Sequence, residues 1–190
     1  LIGIVLQLVT VFLTAFSIVR ERERGTLEQL LVTPVSKGGL IVGKLLPYTA
    51  IGFGQTILVL LLMVFLFGVP IKGSVALLLF LSAVFLVPAL GMGIVISTFA
   101  RNQSEAMQVS IMFMLPSILL SGFIFPRESM PLPIYLIGFL IPATYYLEIL
   151  RGIIIRGAGI AALWDEALAL AGFGIFFMTL SALRFKKHLG

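Results

Sequence analysis

Residues 75–100 read VALLLFLSAVFLVPALGMGIVISTFA, and no side chain in the run carries a charge. Coiled as an α-helix, such a stretch is about 39 Å long at 1.5 Å per residue, enough to cross the roughly 30 Å of a bilayer's hydrocarbon. Four further stretches have the same character: Leu1–Val19, Leu45–Val69, Met107–Phe125 and about Ala167–Leu183, none with Asp, Glu, Lys, Arg or His in its interior. They predict an all-α, polytopic membrane bundle of five spans, folded as one domain over residues 1–190.

The composition agrees. Of 190 residues, 60% are hydrophobic and 11% charged, with a mean hydropathy of +1.18, whereas soluble domains carry about 25% charged residues. Zero cysteines exclude a disulfide scaffold and thiolate chemistry, and one His (His188) with one Asp (Asp165) cannot furnish a His-ligated metal site or a hydrolytic triad. The chain starts at Leu1, already inside an apolar run, so a preceding segment is expected. Positive charge follows that run, the reverse of a signal peptide.

Lys and Arg are unevenly divided. Arg20, Arg22, Arg24, Lys37, Lys44, Arg101, Arg184, Lys186 and Lys187 fall on one side of the predicted bundle, against Lys72, Arg127, Arg151 and Arg156 on the other. The richer side is expected to be cytoplasmic, which puts the C-terminus inside a cell (inner) membrane. This basic charge meets lipid headgroups and gives no reason to expect nucleic acid.

Residues 134–155 are long enough to span, but Pro142, Glu148 and Arg151 would lie at or below the middle, and a central charge costs roughly 2.5–3.5 kcal/mol. Two short helices, Leu132–Ile141 and Thr144–Ile155, turning back at Pro142 are expected instead, as an extracellular re-entrant hairpin. Tyr145, Glu148 and Arg151 share one flank, so a Glu148–Arg151 pair would lower the cost of charge near the outer leaflet. Phe123, Phe125, Tyr135 and Trp164 suit an interfacial aromatic belt, Gly91, Gly93, Gly172 and Gly174 suit close helix packing, and Pro88 and Pro116 suit kinks.

Two local patterns bear on chemistry. Gly38-Gly39-Leu40-Ile41-Val42-Gly43-Lys44-Leu45 nearly matches a phosphate-binding loop, but Leu45 offers no hydroxyl to Mg²⁺ and the next residues enter a span. Any ATP and Mg²⁺ must therefore be held by another polypeptide, and this chain is expected to be no enzyme. The second is Arg20-Glu21-Arg22-Glu23-Arg24-Gly25-Thr26-Leu27-Glu28-Gln29-Leu30-Leu31-Val32-Thr33-Pro34. Gly25 permits a sharp turn, Thr26 and Gln29 have capping-box spacing, and Pro34 stops the helix they begin. Leu27, Leu30 and Leu31 share a face, which can dip among lipid headgroups or dock in a groove on a partner. The first of these would make the chain a non-transporting membrane anchor or assembly protein.

The run from Glu21 to Leu30, followed by Val32-Thr33-Pro34, resembles the signature loop of the ABC-2-type permeases of ABC exporters. Pro142-Ala143-Thr144-Tyr145-Tyr146-Leu147-Glu148-Ile149-Leu150-Arg151-Gly152 is similar to the re-entrant region before that family's last helix. The resemblance implies a transport subunit driven by a separate ATPase subunit and paired with a second permease copy, moving a drug, lipid or lipid-linked glycan outward. It implies that Thr26–Thr33 is the coupling helix, with Glu21, Glu23 and Glu28 as charged contacts and Leu27, Leu30 and Leu31 as apolar anchors beside Gly25. It further implies that Pro142, Tyr145, Glu148 and Arg151 close the outer end of the pathway. A first membrane helix, usual in the family, would precede Leu1.

No acid lies inside the spans, which disfavours ion-gradient coupling and charge-lined channels. Gln7 and Gln55 are uncharged polar groups there, placed to line a path or, more commonly, to bond between helices. The second loop, Arg101–Glu105, reads as a solvated turn, with an added contact to the partner as the lesser alternative.

Overall fold

A computed structural model of the chain describes residues 2–25 and 37–187. Among these, the elements are helices α1 (Ile2–Glu23), α2 (Lys37–Phe65), α3 (Val75–Phe99), α4 (Gln103–Leu120), α5 (Leu132–Gly138), α6 (Pro142–Arg151) and α7 (Trp164–Lys187), with no strand. A π-helical turn, Gly152–Arg156, continues α6, and single 3-10 turns occur at Arg127–Ser129 and Ile160–Ala162. Among the described residues four helices are long and apolar enough to cross a membrane, Ile2–Glu23, Leu45–Phe65, Val75–Phe99 and Trp164–Arg184, and the bent pair Leu132–Gly138 and Pro142–Arg156 would make a fifth if it were one span. The expected span Met107–Phe125 is shorter than foreseen. Its helix is Gln103–Leu120, and the chain leaves it at Ser121 and turns through Gly122 at φ +85°.

The core follows from α3. Its spine is apolar on nearly every side, so it is buried from Leu78 to Ser97 apart from a few flank positions. It packs chiefly on α7 and α1, with α2, α4 and α6 filling the remaining sides. Glycines allow the two main approaches. A Cβ at Gly91 would lie 2.8 Å from Phe177 of α7, and one at Gly93 would lie 2.6 Å from Thr14 of α1. Gly174 meets Val87 at 3.2 Å, but Gly172, expected to share this role, has open space around it.

One end of the bundle is marked by Arg22, which donates to the Ala100 carbonyl, and by Arg184, whose guanidinium lies 5.1 Å over the Phe99 ring. The other is marked by Lys72, whose N–H donates to the Ile154 carbonyl at 3.2 Å, and by Arg151, which donates to the Gly122 carbonyl at 2.6 Å. Helix α6 thus ends level with the turn that precedes α5. Gly152 abuts Leu163, the residue before α7, and α7 runs from there to the Arg184 end. Residues 132–156 therefore enter and leave at the Lys72 end, a re-entrant hairpin whose two arms are bent by 87°.

Candidate functional site

At the Arg22 end, α1 closes on the turn between α3 and α4. Asn102 caps α4 by accepting the Glu105 N–H at 2.8 Å, while the Glu105 carboxylate accepts the Arg101 N–H at 2.7 Å. Gln103, the first residue of α4, still has a backbone N–H without an intrahelical acceptor. Glu23, at the last position of α1, accepts that N–H at 3.0 Å and the Gln103 side-chain amide at 2.5 Å. A carboxylate at a helix N-terminus is favoured by the helix dipole as well. Arg22, one residue earlier, reaches the Ala100 carbonyl. These bonds clasp the end of α1 to the α3–α4 turn.

This clasp changes two readings of the sequence. Residues 101–105 are not merely a solvated turn, because they receive Glu23. Glu23 itself, expected to face a partner, directs its carboxylate within the chain. Gly25 has the left-handed backbone that a sharp turn needs: its φ is +69°, and its N–H donates to the Arg22 carbonyl. Glu21 is half-buried on the same turn. Thr26, Leu27, Glu28, Leu30 and Leu31 lie outside the described residues, as does the helix expected at Thr26–Thr33.

At the opposite end the hairpin has a built interior. Pro142 occupies the first turn of α6, where its missing N–H is harmless. The Thr144 hydroxyl donates to the Gly138 carbonyl at 2.8 Å and the Tyr145 hydroxyl to the Phe139 carbonyl at 3.0 Å, tying the two arms together. Tyr146 is fully buried, stacked on Phe85 with centroids 4.1 Å apart and planes 7° from parallel. Its hydroxyl is 2.6 Å from that of Ser82, which already donates to Leu78, so Tyr146 is the donor of the pair.

The expected Glu148–Arg151 pair does not form. Glu148 faces Arg127, 3.7 Å away, and Arg151 is drawn to the bare carbonyl of the Gly122 turn. Arg127 comes from the 3-10 turn before α5, and its guanidinium also lies over the rings of Tyr135 and Phe139, 4.6 and 4.5 Å from their centroids. Tyr135 therefore serves this cation–π stack. Phe125 and Trp164, both exposed near the Lys72 end, keep the belt reading. Nothing in the sequence singles out Arg127; the aromatic residues at 135 and 139, one helical turn apart, are the only hint.

Between the ends, Gln7 is completely buried. Its amide donates to the Ser117 hydroxyl at 3.4 Å and approaches the Met92 sulfur at 3.9 Å, joining α1 to α4 and α3, while its own carbonyl oxygen has no partner among the described residues. Met92 and Ser117 also line a half-open cavity of about 310 Å³ beneath the hairpin tip, together with Met112, Phe113, Pro116, Leu140, Ile141, Pro142 and Phe177. Gln55, on α2, is half-buried and does not meet Gln7. Of the two expected roles, path lining or bonding between helices, Gln7 takes the second, and it does so through two residues, Met92 and Ser117, that line the cavity. Among the described residues no cluster of His, Cys, Asp or Glu could hold a metal ion.

Residues 1–155 match the family described as ABC-2 type transporter. The chain is similar to the probable multidrug ABC transporter permease YbhS of Escherichia coli K12, 39% identical over 99% of this chain and 50% of that protein. It is similar also to the inner membrane transport permease YhhJ of the same organism, 34% identical over 97% of this chain and 50% of that one. A third relative, ABC transporter G family member 20 of Dictyostelium discoideum, is 27% identical over 90% of this chain and 24% of its own length. The chain thus spans about half the length of the bacterial relatives it matches.

Proposed function

The chain belongs to the ABC-2 type transporter family, and from that premise we propose that it is the permease part of an ATP-driven exporter in the inner membrane of a cell. Membrane-embedded, it performs no covalent chemistry itself. A separate ATPase subunit binds ATP and Mg²⁺ and engages Thr26–Thr33 through Leu27, Leu30, Leu31 and Glu28, with Glu21 alongside. A second permease copy completes the pathway, and the Arg22 end faces the cytoplasm.

The observation that carries this reading is the clasp at Glu23. The segment expected to meet the motor follows α1 directly, and the end of α1 is bonded to the start of α4. Displacement of that segment is then delivered to two helices at once and through them, by way of the Gln7–Ser117 bond, to the cavity that Ser117 lines. An apolar cavity of about 310 Å³ roofed by the hairpin suits a hydrophobic or amphipathic cargo, and the word multidrug in the name of a similar protein agrees with that class. Pro142 lines the cavity, and Tyr145, Glu148 and Arg151 belong to the same hairpin.

Co-purification tests the reading. Leu27→Asp with Leu30→Asp, and separately Glu28→Lys, should abolish retention of the ATPase subunit while the permease still inserts. Undiminished retention by the double aspartate variant would refute it and leave a membrane anchor as the remaining interpretation.

A further inference from the structure

At the Arg22 end a cavity of about 450 Å³ is lined by Arg22, Thr98, Phe99, Ala100 and Arg101. Two of its five lining residues are guanidinium-bearing and none is acidic. A third guanidinium, that of Arg184, rests on the Phe99 ring at the cavity's edge. No carboxylate lines it: Glu23, near enough to feel the charge of Arg22, is bonded to Gln103, and Glu105 is turned to the Arg101 backbone. Arg22 uses one nitrogen on the Ala100 carbonyl, leaving further N–H donors on a fork suited to phosphate oxygens.

We propose that this cavity binds the phosphate of an anionic glycerophospholipid. Cations gathered around one space repel one another unless an anion joins them. The apolar side of the cavity selects a lipid over a free phosphate. Phe99 is the last residue of a helix long and apolar enough to cross a membrane and is 52% exposed, so it would sit where that helix leaves the hydrocarbon for the headgroups. Phosphate oxygens would meet Arg22 and Arg101, and the glycerol and upper acyl carbons would lie along Phe99 beneath Arg184. The volume falls within the range of small-molecule sites, about 300–1,000 Å³. The inference does not depend on the exporter reading.

The test is native mass spectrometry of the intact permease in detergent, titrated with phosphatidylglycerol and with phosphatidylcholine. Arg101→Gln and Arg184→Gln should each weaken phosphatidylglycerol retention about fivefold, the ratio that corresponds to roughly 1 kcal/mol per basic residue near an anionic membrane surface. Arg20→Gln and Arg24→Gln, exposed at the same end but outside the cavity, should change it far less. Equal losses in all four variants would reduce the site to a diffuse basic field and overturn the proposal, as would equal retention of phosphatidylcholine. Displacement of the lipid by an equal concentration of glycerol 3-phosphate would assign the cavity to a soluble phosphate and overturn it too.

Discussion

Glu23 accepts two hydrogen bonds from Gln103, one from its backbone N–H at 3.0 Å and one from its side-chain amide at 2.5 Å, although 80 residues separate them. The bonds join the last position of one helix to the first of another. If this clasp relays motion, Glu23→Ala should lower cargo transport severalfold while leaving ATPase retention intact. Glu23→Gln, which keeps an acceptor for the Gln103 N–H, should fall in between. Transport in vesicles measured beside co-purification checks both, and loss of ATPase retention in Glu23→Ala would show that the carboxylate serves the partner instead.

Tyr146→Phe should lower stability by about 0.6–1 kcal/mol, because Ser82 keeps its bond to Leu78 and only one buried bond is lost. Tyr146→Ala also removes a stacked ring and should cost about 3–5 kcal/mol. Thermal unfolding in detergent separates the two variants.

Gly93→Ala places a Cβ 2.6 Å from Thr14 and 3.0 Å from the Val11 carbonyl, and overpacking of this kind costs about 1–3 kcal/mol. Gly172→Ala meets open space and should be neutral or slightly stabilising. The same melting assay compares them.

Absence of cysteine from the chain makes labelling direct. An impermeant maleimide should reach Lys72→Cys and Ala161→Cys from one face of the membrane and Arg101→Cys from the other. Labelling of positions 72 and 161 from opposite faces would turn the hairpin into a true span.

Arg127→Leu removes the cation held between Tyr135, Phe139 and Glu148. The hairpin tip should then loosen, and a cysteine at Leu140 should react faster than in the parent. Arg127→Lys should restore this only in part, since an ammonium lacks the planar face that stacks on both rings.

What the sequence could disclose follows the range of the physics. Uncharged runs identify spans because lipid tolerates no unpaired backbone, and the penalty for Glu148 and Arg151 at mid-depth foretold a hairpin before any contact was known. Gly25 and Pro142 were legible because their roles are local. Partner choice was not. Glu148 had two arginines within reach, and the three-residue spacing favoured Arg151; the choice of Arg127 depends on where the Gly122 turn leaves a bare carbonyl. Gly172 and Gly174 look alike in a helix, and only the azimuth of α7 against Val87 distinguishes them. Arg101–Glu105 showed in the sequence only as a turn, and nothing nearby announced Glu23.

The bend between α5 and α6 is 87°, and two hydrogen bonds, Thr144 to Gly138 and Tyr145 to Phe139, brace its inside. An elbow braced in this way cannot straighten without breaking both. Motion that preserves them would swing the whole bracket about the Lys72–Ile154 and Arg151–Gly122 bonds, and the roof over the cavity that Ser117 lines would lift as a trapdoor lifts, by hinging and not by melting.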